Sequence, residues 1–214
     1  MSDETAKAWN RIAKSLVSQL PGEWTTGRSG IRTILVRKPV DWVLVWAGVD
    51  RSRRDSDPFL IGGQVQLVDR FQFTVGHGIR SDQLPDHPSK VDLTDPTATE
   101  VVRAFITEGL LPRLDQWTPD RLAAEAEDQL AIPDEERGRP LVYPLAAGWR
   151  VVNDTGSPVE PASQAVAWFK DAYSPDDAAW YSDLLQTWQD GGRPAALKYL
   201  EDQRAAALAS LKLK

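Results

Sequence analysis

The stretch of residues 22–50, GEWTTGRSGIRTILVRKPVDWVLVWAGVD, decides the fold class of this chain. Short runs of Trp, Val, Ile and Thr are interrupted in it by Gly and Pro, which is typical of β-strands joined by tight turns. Its run 41–49 is apolar on both faces of an extended chain, with Trp42, Leu44 and Trp46 on one face and Val43, Val45, Ala47 and Val49 on the other. A strand with two apolar faces must be covered on both sides, so we expect this run to be central in a sheet.

Two more strands are predicted after the polar loop 50–58. Apolar and polar residues alternate along 64–68 and again along 71–79, which indicates strands with one buried and one wet face. The short links between the strand patterns, including a predicted turn at 27–30, favour hairpins and therefore a mainly antiparallel sheet.

Outside this region the apolar residues recur with the period of a helix. An N-terminal helix is predicted over 4–20, ended by Pro21-Gly22. After a polar loop at 81–95, further helices begin at Asp95-Pro96 and at Thr118-Pro119, because Pro is tolerated in a first turn. Three C-terminal patterns cover 161–172, 175–189 and 194–212, with Gly191-Gly192 separating the last two.

This order of elements predicts an α+β fold. We expect a mainly antiparallel sheet of about four to five strands, packed by the N-terminal helix and the following helices, with an α-helical C-terminal extension. The predicted division is an α+β domain at 1–131, an irregular connection at 132–160 with a short segment near 141–152, and a helical extension at 161–214 that packs on the first part.

Composition narrows the class of protein. The 214 residues are enough for a sizeable core, and the absence of Cys excludes disulfides, thiolate metal ligands and a Cys nucleophile. Residues 1–80 carry 12 basic and 8 acidic side chains, whereas residues 81–214 carry 13 and 23, and the net charge of −6 argues against general nucleic-acid binding. Charged residues stand where a signal peptide would be apolar, and no apolar run is long enough to span a membrane, so we expect a cytoplasmic protein.

Three features occur together in the first 130 residues. An N-terminal helix leads to LPGEW at 20–24, strands surround DWVLVWAGVDRSR at 41–53 and GGQVQLVDRFQFTVGHGIR at 62–80, and a helix ends in GLLPRLDQWTPDRL at 109–122. In combination they resemble the bacterial domain of unknown function numbered 4304, over roughly residues 5–130. The resemblance implies a small bacterial α+β protein, and some members of that family have gene neighbourhoods that suggest immunity or toxin-related roles. It implies no catalytic residue.

The candidate catalytic or metal-ligating residues centre on the two histidines of the chain. His77, Asp86 and His87 come together if the loop between the histidines folds back, with Asp82 and Asp92 nearby. His and carboxylate groups are ligands for Zn²⁺, which needs three or four of them, so a metal-assisted hydrolase is one alternative. The sequence contains neither a G-x-x-x-x-G-K-[ST] phosphate loop nor a G-x-S-x-G nucleophile motif.

The direction of the His77 side chain depends on the strand that contains it. In FTVGHGIR at 73–80, a continuous strand places His77 and Ile79 on the core face, and we expect a packed histidine there. A break at Gly76 would turn the ring to solvent and keep a functional role open. Gly76 and Gly78 leave the opposite face bare, which predicts a bulge or the close approach of another backbone.

The candidate binding residues are Trp42, Trp46, Phe73, Arg51, Arg53 and Arg54. The three aromatic residues would line a pocket between sheet and helices for a small molecule or peptide. The three arginines would hold phosphate or an acidic partner through paired guanidinium bonds, although neighbouring aspartates favour a self-neutralised loop.

Because no catalytic constellation emerges, the sequence favours a non-catalytic protein-interaction module over an enzyme. Such a module would be an immunity protein, inhibitor or adaptor of bacterial type that uses Trp and Arg anchors on a protein partner. This hypothesis includes no cofactor, metal, nucleic acid or membrane partner and leaves the oligomeric state open. The metal-assisted hydrolase and the binder with a Trp-lined pocket stay as alternatives.

Overall fold

The computed structural model of the chain describes residues 3–30, 32–50, 58–70, 78–133, 142–171 and 174–213. The strands are β1 (Glu23–Ser29), β2 (Arg32–Lys38), β3 (Val43–Asp50), β4 (Phe59–Gln66) and β5 (Ile79–Arg80). The helices are α1 (Asp3–Leu16), α2 (Ala98–Ala104), α3 (Leu111–Leu114), α4 (Pro119–Leu130), α5 (Val142–Asn153), α6 (Val159–Asp171) and α7 (Pro175–Ser210), with a π-helical segment (Phe105–Leu110) joining α2 to α3. This order confirms the α+β fold class.

The chain forms two compact units, each assembled from separate parts of the sequence. The sheet unit comprises Met1–Val65, Gln72–Trp117 and Leu208–Lys214. The helical unit comprises Gln66–Phe71 and Thr118–Ala207.

The five strands form one antiparallel sheet in the order β1-β2-β3-β4-β5. β3 is the middle strand, as its two apolar faces predict. Leu44 and Trp46 are buried on one of its faces, and Ala47 and Val49 are buried on the other. Both faces of this strand are therefore removed from water, which is the condition that a strand of this composition requires.

The turn predicted at 27–30 begins later than expected, because β1 continues to Ser29. Gly27 lies within the strand, where a Cβ atom would come within 2.6 Å of the Leu213 side chain and 3.0 Å of the Leu211 carbonyl oxygen. The glycine thus allows the end of the chain to pack on β1 and does not form the turn.

The fourth strand, predicted at 64–68, begins earlier and comprises Phe59–Gln66. β4 includes Gly62, where a Cβ atom would lie 2.3 Å from Leu110 Cδ2 and 2.9 Å from the Trp46 carbonyl oxygen. Glycine is needed here for close packing of the sheet, which composition alone does not reveal.

The strand predicted at 71–79 falls mostly on residues 71–77, which lie outside the described part of the chain, and β5 comprises Ile79–Arg80. Ile79 pairs with Gly62 and packs against the core of the sheet unit, on the face expected for it. A Cβ atom on Gly78 would lie 2.5 Å from the Gly62 carbonyl oxygen, which confirms the predicted close approach of another backbone.

The core of the sheet unit lies between the sheet and helices α1 and α2. The α1 residues that face it recur at helical spacing: Ala8, Trp9, Ile12, Ala13 and Leu16. The Trp9 indole also donates a hydrogen bond of 2.8 Å to the Thr33 carbonyl oxygen, which ties α1 to β2. Because α1 buries this one stripe, its opposite face is left at the surface.

The first helix of the helical unit is α4, which begins at the predicted Thr118-Pro119 start. Thr118 Oγ1 accepts a hydrogen bond of 3.3 Å from the Arg121 backbone N–H, which caps the helix. The 12-residue helix α5 lies within the predicted connection, where a short segment was expected near 141–152. Helix α7 is interrupted at Gly192 (φ 62°, ψ −155°), which confirms the predicted break.

Among the helices of the described residues, none combines the length and the apolar character that are needed to cross a bilayer.

Candidate protein-interaction surface

Five of the sequence-predicted site residues, His77, Arg51, Arg53, Arg54 and Phe73, lie outside the described residues. The proposed arginine site and the full Trp-lined pocket therefore stay predictions.

The two tryptophans predicted to bind a partner both lie in the sheet unit. Trp46 is 2% exposed on β3, and its indole lies beside Gly48 and Gly63. Trp42 is half-buried immediately before the same strand. The described structure thus uses Trp46 as a core residue and leaves only Trp42 partly accessible.

The candidate catalytic residues of the loop, Asp86 and His87, have different surroundings. Asp86 is exposed, whereas His87 is half-buried and its ring meets Phe105 edge-on at a centroid distance of 6.0 Å. A Cβ atom on Gly109 would lie 2.8 Å from His87 Nε2, so the imidazole lies directly against the helix. Within the described ranges, no group of three His, Asp or Glu side chains is arranged to hold a metal ion.

This packing gives a testable expectation for His87. We expect His87→Ala to lower the free energy of unfolding by about 1 kcal/mol, because the edge-to-face contact with Phe105 is lost. Urea denaturation followed by circular dichroism measures this change. Asp86→Ala, which alters the exposed neighbour, should stay within about 0.5 kcal/mol of the parent protein. Equal stability of the two variants would contradict a packing role for the ring.

Helix α1 presents a line of basic side chains at the surface. Lys7, Arg11 and Lys14 are exposed and are spaced i, i+4 and i+7, so they share the helix face opposite the buried stripe. We call these three residues the basic stripe. It concentrates positive charge on a rigid helix that is fixed to the sheet by Trp9.

Two cations of the basic stripe have no partner among the described residues. Neither Arg11 nor Lys14 makes a hydrogen bond or an ion pair there. Other arginines of the sheet unit are paired, such as Arg37 with Asp115 at 2.5 Å and Arg32 with Asp50 at 3.0 Å. The positive charge of Arg11 and Lys14 is therefore available to another molecule.

Surface grooves lie along the basic stripe. One groove of about 600 Å³ is lined by Lys7, Asn10, Arg11, Lys14 and Ser15. A second groove of about 600 Å³ shares Lys7 and Arg11 and is completed by Glu4, Ala8 and Thr94. The exposed face of α1 thus carries cations and hydrogen-bonding groups along both grooves.

A second cluster of charged groups lies in the helical unit, around Arg70. The Arg70 guanidinium contacts the buried Asp177 carboxylate directly and reaches Asp176 at 3.8 Å, and Ser174 Oγ hydrogen-bonds to the other oxygen of Asp177. The Arg70 backbone N–H donates a hydrogen bond of 2.6 Å to Asp69. This network joins the segment after β4 to the start of α7.

Asp69, which accepts the hydrogen bond from the Arg70 backbone, has an altered proton affinity. Burial raises the pKa of Asp69 to about 7, the hydrogen bond from Arg70 opposes the rise, and the Asp177 carboxylate adds to it. Asp69 can therefore hold a proton near neutral pH. Sequence reasoning missed this network, because its partners are 107 positions apart and no local pattern joins them.

Comparison of the chain with protein-family models, with curated proteins and with solved structures gives no match. The resemblance to the domain of unknown function 4304 stays a prediction.

Proposed function

We propose that this protein is a non-catalytic interaction module that binds an acidic protein partner through the basic stripe of α1. The observation that carries the proposal is that Arg11 and Lys14 are exposed beside two grooves and have no partner among the described residues. Carboxylate side chains of a partner supply the missing ion pairs. An immunity protein, inhibitor or adaptor of the bacterial cytoplasm fits this role.

A protein partner is favoured over a nucleic acid by the scale of the charge. The stripe contains three cations, and the whole chain carries a net charge of −6. Nucleic-acid binding usually needs a larger basic surface, because its affinity comes from neutralising many phosphates. Three cations on one helix instead match a short acidic segment, where charge complementarity sets orientation and association rate.

Charge reversal on the stripe tests this function. We expect Arg11→Glu combined with Lys14→Glu to weaken binding of the partner about tenfold or more, because two attractive contacts become repulsive. The partner is first captured by the tagged protein from its host, then purified, and its affinity is measured by isothermal titration calorimetry at two salt concentrations. Binding by the parent protein should weaken as salt rises.

The matched control combines Arg28→Glu with Arg113→Glu, which makes the same charge change at exposed arginines on β1 and α3. This control variant should retain most of the affinity that the parent protein has for the partner. Equal loss in both double variants would show only a general effect of net charge and would overturn the assignment to α1. Loss of the captured partner after nuclease treatment would show that the partner is a nucleic acid and not an acidic protein. Substrate turnover by the purified protein would contradict the non-catalytic role.

A further inference from the structure

The helical unit contains an open cleft of about 400 Å³ that the proposed interaction surface does not use. It is lined by Glu127, Leu130, Ala131, Tyr143, Arg150, Glu160, Pro161 and Gln164. Helices α4, α5 and α6 all contribute to it. Its volume is in the range of small-molecule sites, and its lining combines apolar, aromatic and charged groups as such sites do.

An ion pair inside the helical unit forms one wall of the cleft. Arg150 Nε and Nη2 donate hydrogen bonds of 2.7 and 2.8 Å to the two carboxylate oxygens of Glu127. Arg150 Nη1 donates a third bond, of 3.1 Å, to the Ser157 carbonyl oxygen. The arginine thus joins α4, α5 and the segment before α6, and Glu127 neutralises its charge.

The remaining charge of the cleft is negative. Glu160 lies in the first turn of α6, is exposed, and has neither a hydrogen bond nor an ion pair among the described residues. Gln164 follows one turn later and is likewise unpartnered there. Arg150 also attracts Glu160 through its charge, but its hydrogen bonds to a carboxylate go to Glu127, so the Glu160 carboxylate and the Gln164 amide keep their hydrogen-bonding capacity for a ligand.

The other side chains offer apolar contact beside this carboxylate. Leu130, Ala131 and Pro161 supply aliphatic surface, and the half-buried Tyr143 supplies an aromatic ring. Aromatic rings attract organic cations through their π-electrons, and the attraction adds to that of a carboxylate. We infer that the cleft binds a small organic ammonium ion, with Glu160 pairing the cationic group and the apolar residues holding an attached hydrocarbon or aryl body.

This ammonium group has two sources, a free amine or the lysine side chain of a peptide. The test uses benzylamine for the free amine, Nα-acetyl-lysine-N-methylamide for the lysine, and benzyl alcohol as the neutral analogue. Binding is followed by ¹H–¹⁵N spectra of the whole chain, which report shifts of the amides that line the cleft. We expect benzylamine to bind with a dissociation constant of about 1 mM or tighter and benzyl alcohol to bind about tenfold more weakly.

Two variants separate the charge of the cleft from general effects. Glu160→Gln should weaken amine binding about tenfold, because it removes the charge and keeps the shape. Glu201→Gln, at an exposed acid of α7, should leave the affinity unchanged. Three results would each overturn the inference: an ammonium probe that binds the parent and Glu160→Gln equally well, benzyl alcohol that binds as tightly as benzylamine, or no shifts with both ammonium probes. Shifts with the lysine derivative but not with benzylamine would support an ammonium site and assign it to a peptide. The inference does not depend on the function proposed for α1.

Discussion

Replacing Gly148 by alanine is expected to destabilise the protein by about 3 kcal/mol or more, although the glycine lies within a helix. A Cβ atom at this position of α5 would lie 2.1 Å from the Val68 carbonyl oxygen and 2.7 Å from Val68 Cβ. No side-chain rotation relieves a contact with a backbone atom, so the helix must move away from the segment after β4. Overpacking of this kind commonly costs 1–3 kcal/mol, and the short distance to a backbone atom places Gly148 at the upper end.

Helix propensity predicts the opposite sign for this substitution. Alanine in place of glycine inside a helix normally stabilises it by about 1 kcal/mol. The steric effect is expected to win, because it is larger and involves a backbone atom. Urea denaturation measures the balance, and a stability equal to or above that of the parent would refute the close approach.

Two further variants identify the cause. Gly30→Ala has no atom within 4 Å of the added Cβ and has φ of 57°, so it should cost only about 1 kcal/mol for the left-handed backbone. Val68→Ala in the Gly148→Ala background should fail to restore stability, since the carbonyl oxygen and Cβ of residue 68 remain. Full rescue by that second change would assign the effect to the valine side chain.

The second large effect is a pH-dependent stabilisation by Asp69→Asn. Burial raises the pKa of Asp69 to about 7 from 3.8, so the folded protein holds a proton there that the unfolded chain releases. The contribution of this proton to the free energy of unfolding is fully present below the unfolded-state pKa. It is lost as pH rises through the folded-state pKa. Between pH 5 and pH 8 the parent protein should therefore lose about 3 kcal/mol relative to the asparagine variant.

Asparagine is a suitable replacement because it stays neutral and its carbonyl oxygen still accepts the bond from the Arg70 N–H. Thermal unfolding of both proteins across this pH range measures the expected divergence. Glu201→Gln, at an exposed position, should follow the parent curve. Parallel curves for Asp69→Asn and the parent would show that Asp69 is ionised in the folded protein at pH 5.

Gly148 and Asp69 show where sequence reasoning about this chain ends. The stretch 132–160 is rich in Pro and Gly, which predicts an irregular connection with a short segment near 141–152, and in the structure that segment is helix α5, Val142–Asn153. The composition does not explain why a glycine stands at position 148 within this helix. The missing side chain of Gly148 allows close contact with Val68, a residue 80 positions earlier. Similarly, the proton affinity of Asp69 depends on Asp177 and on burial, neither of which a local pattern contains.

The candidate sites were predictable to different degrees. The period of α1 identifies which of its residues are buried, and the basic stripe then follows as the opposite face of the same helix. The i, i+4, i+7 spacing of Lys7, Arg11 and Lys14 is the signal in the sequence from which this outer face can be found. The cleft gave no such signal, because Glu127, Arg150 and Glu160 come from three helices.

The amino-acid sequence was enough to predict the α+β class, the central position of β3, the start of α4 at Thr118 and the break at Gly192. These features depend on periodicity and on local backbone preferences, which neighbouring residues set. The extent of β4, the contact of Gly148 with Val68, the raised pKa of Asp69 and the cleft around Arg150 follow from the assembled fold alone. Each of these arises from close packing or charge between residues distant in the chain, and such contacts exist only after the elements have assembled.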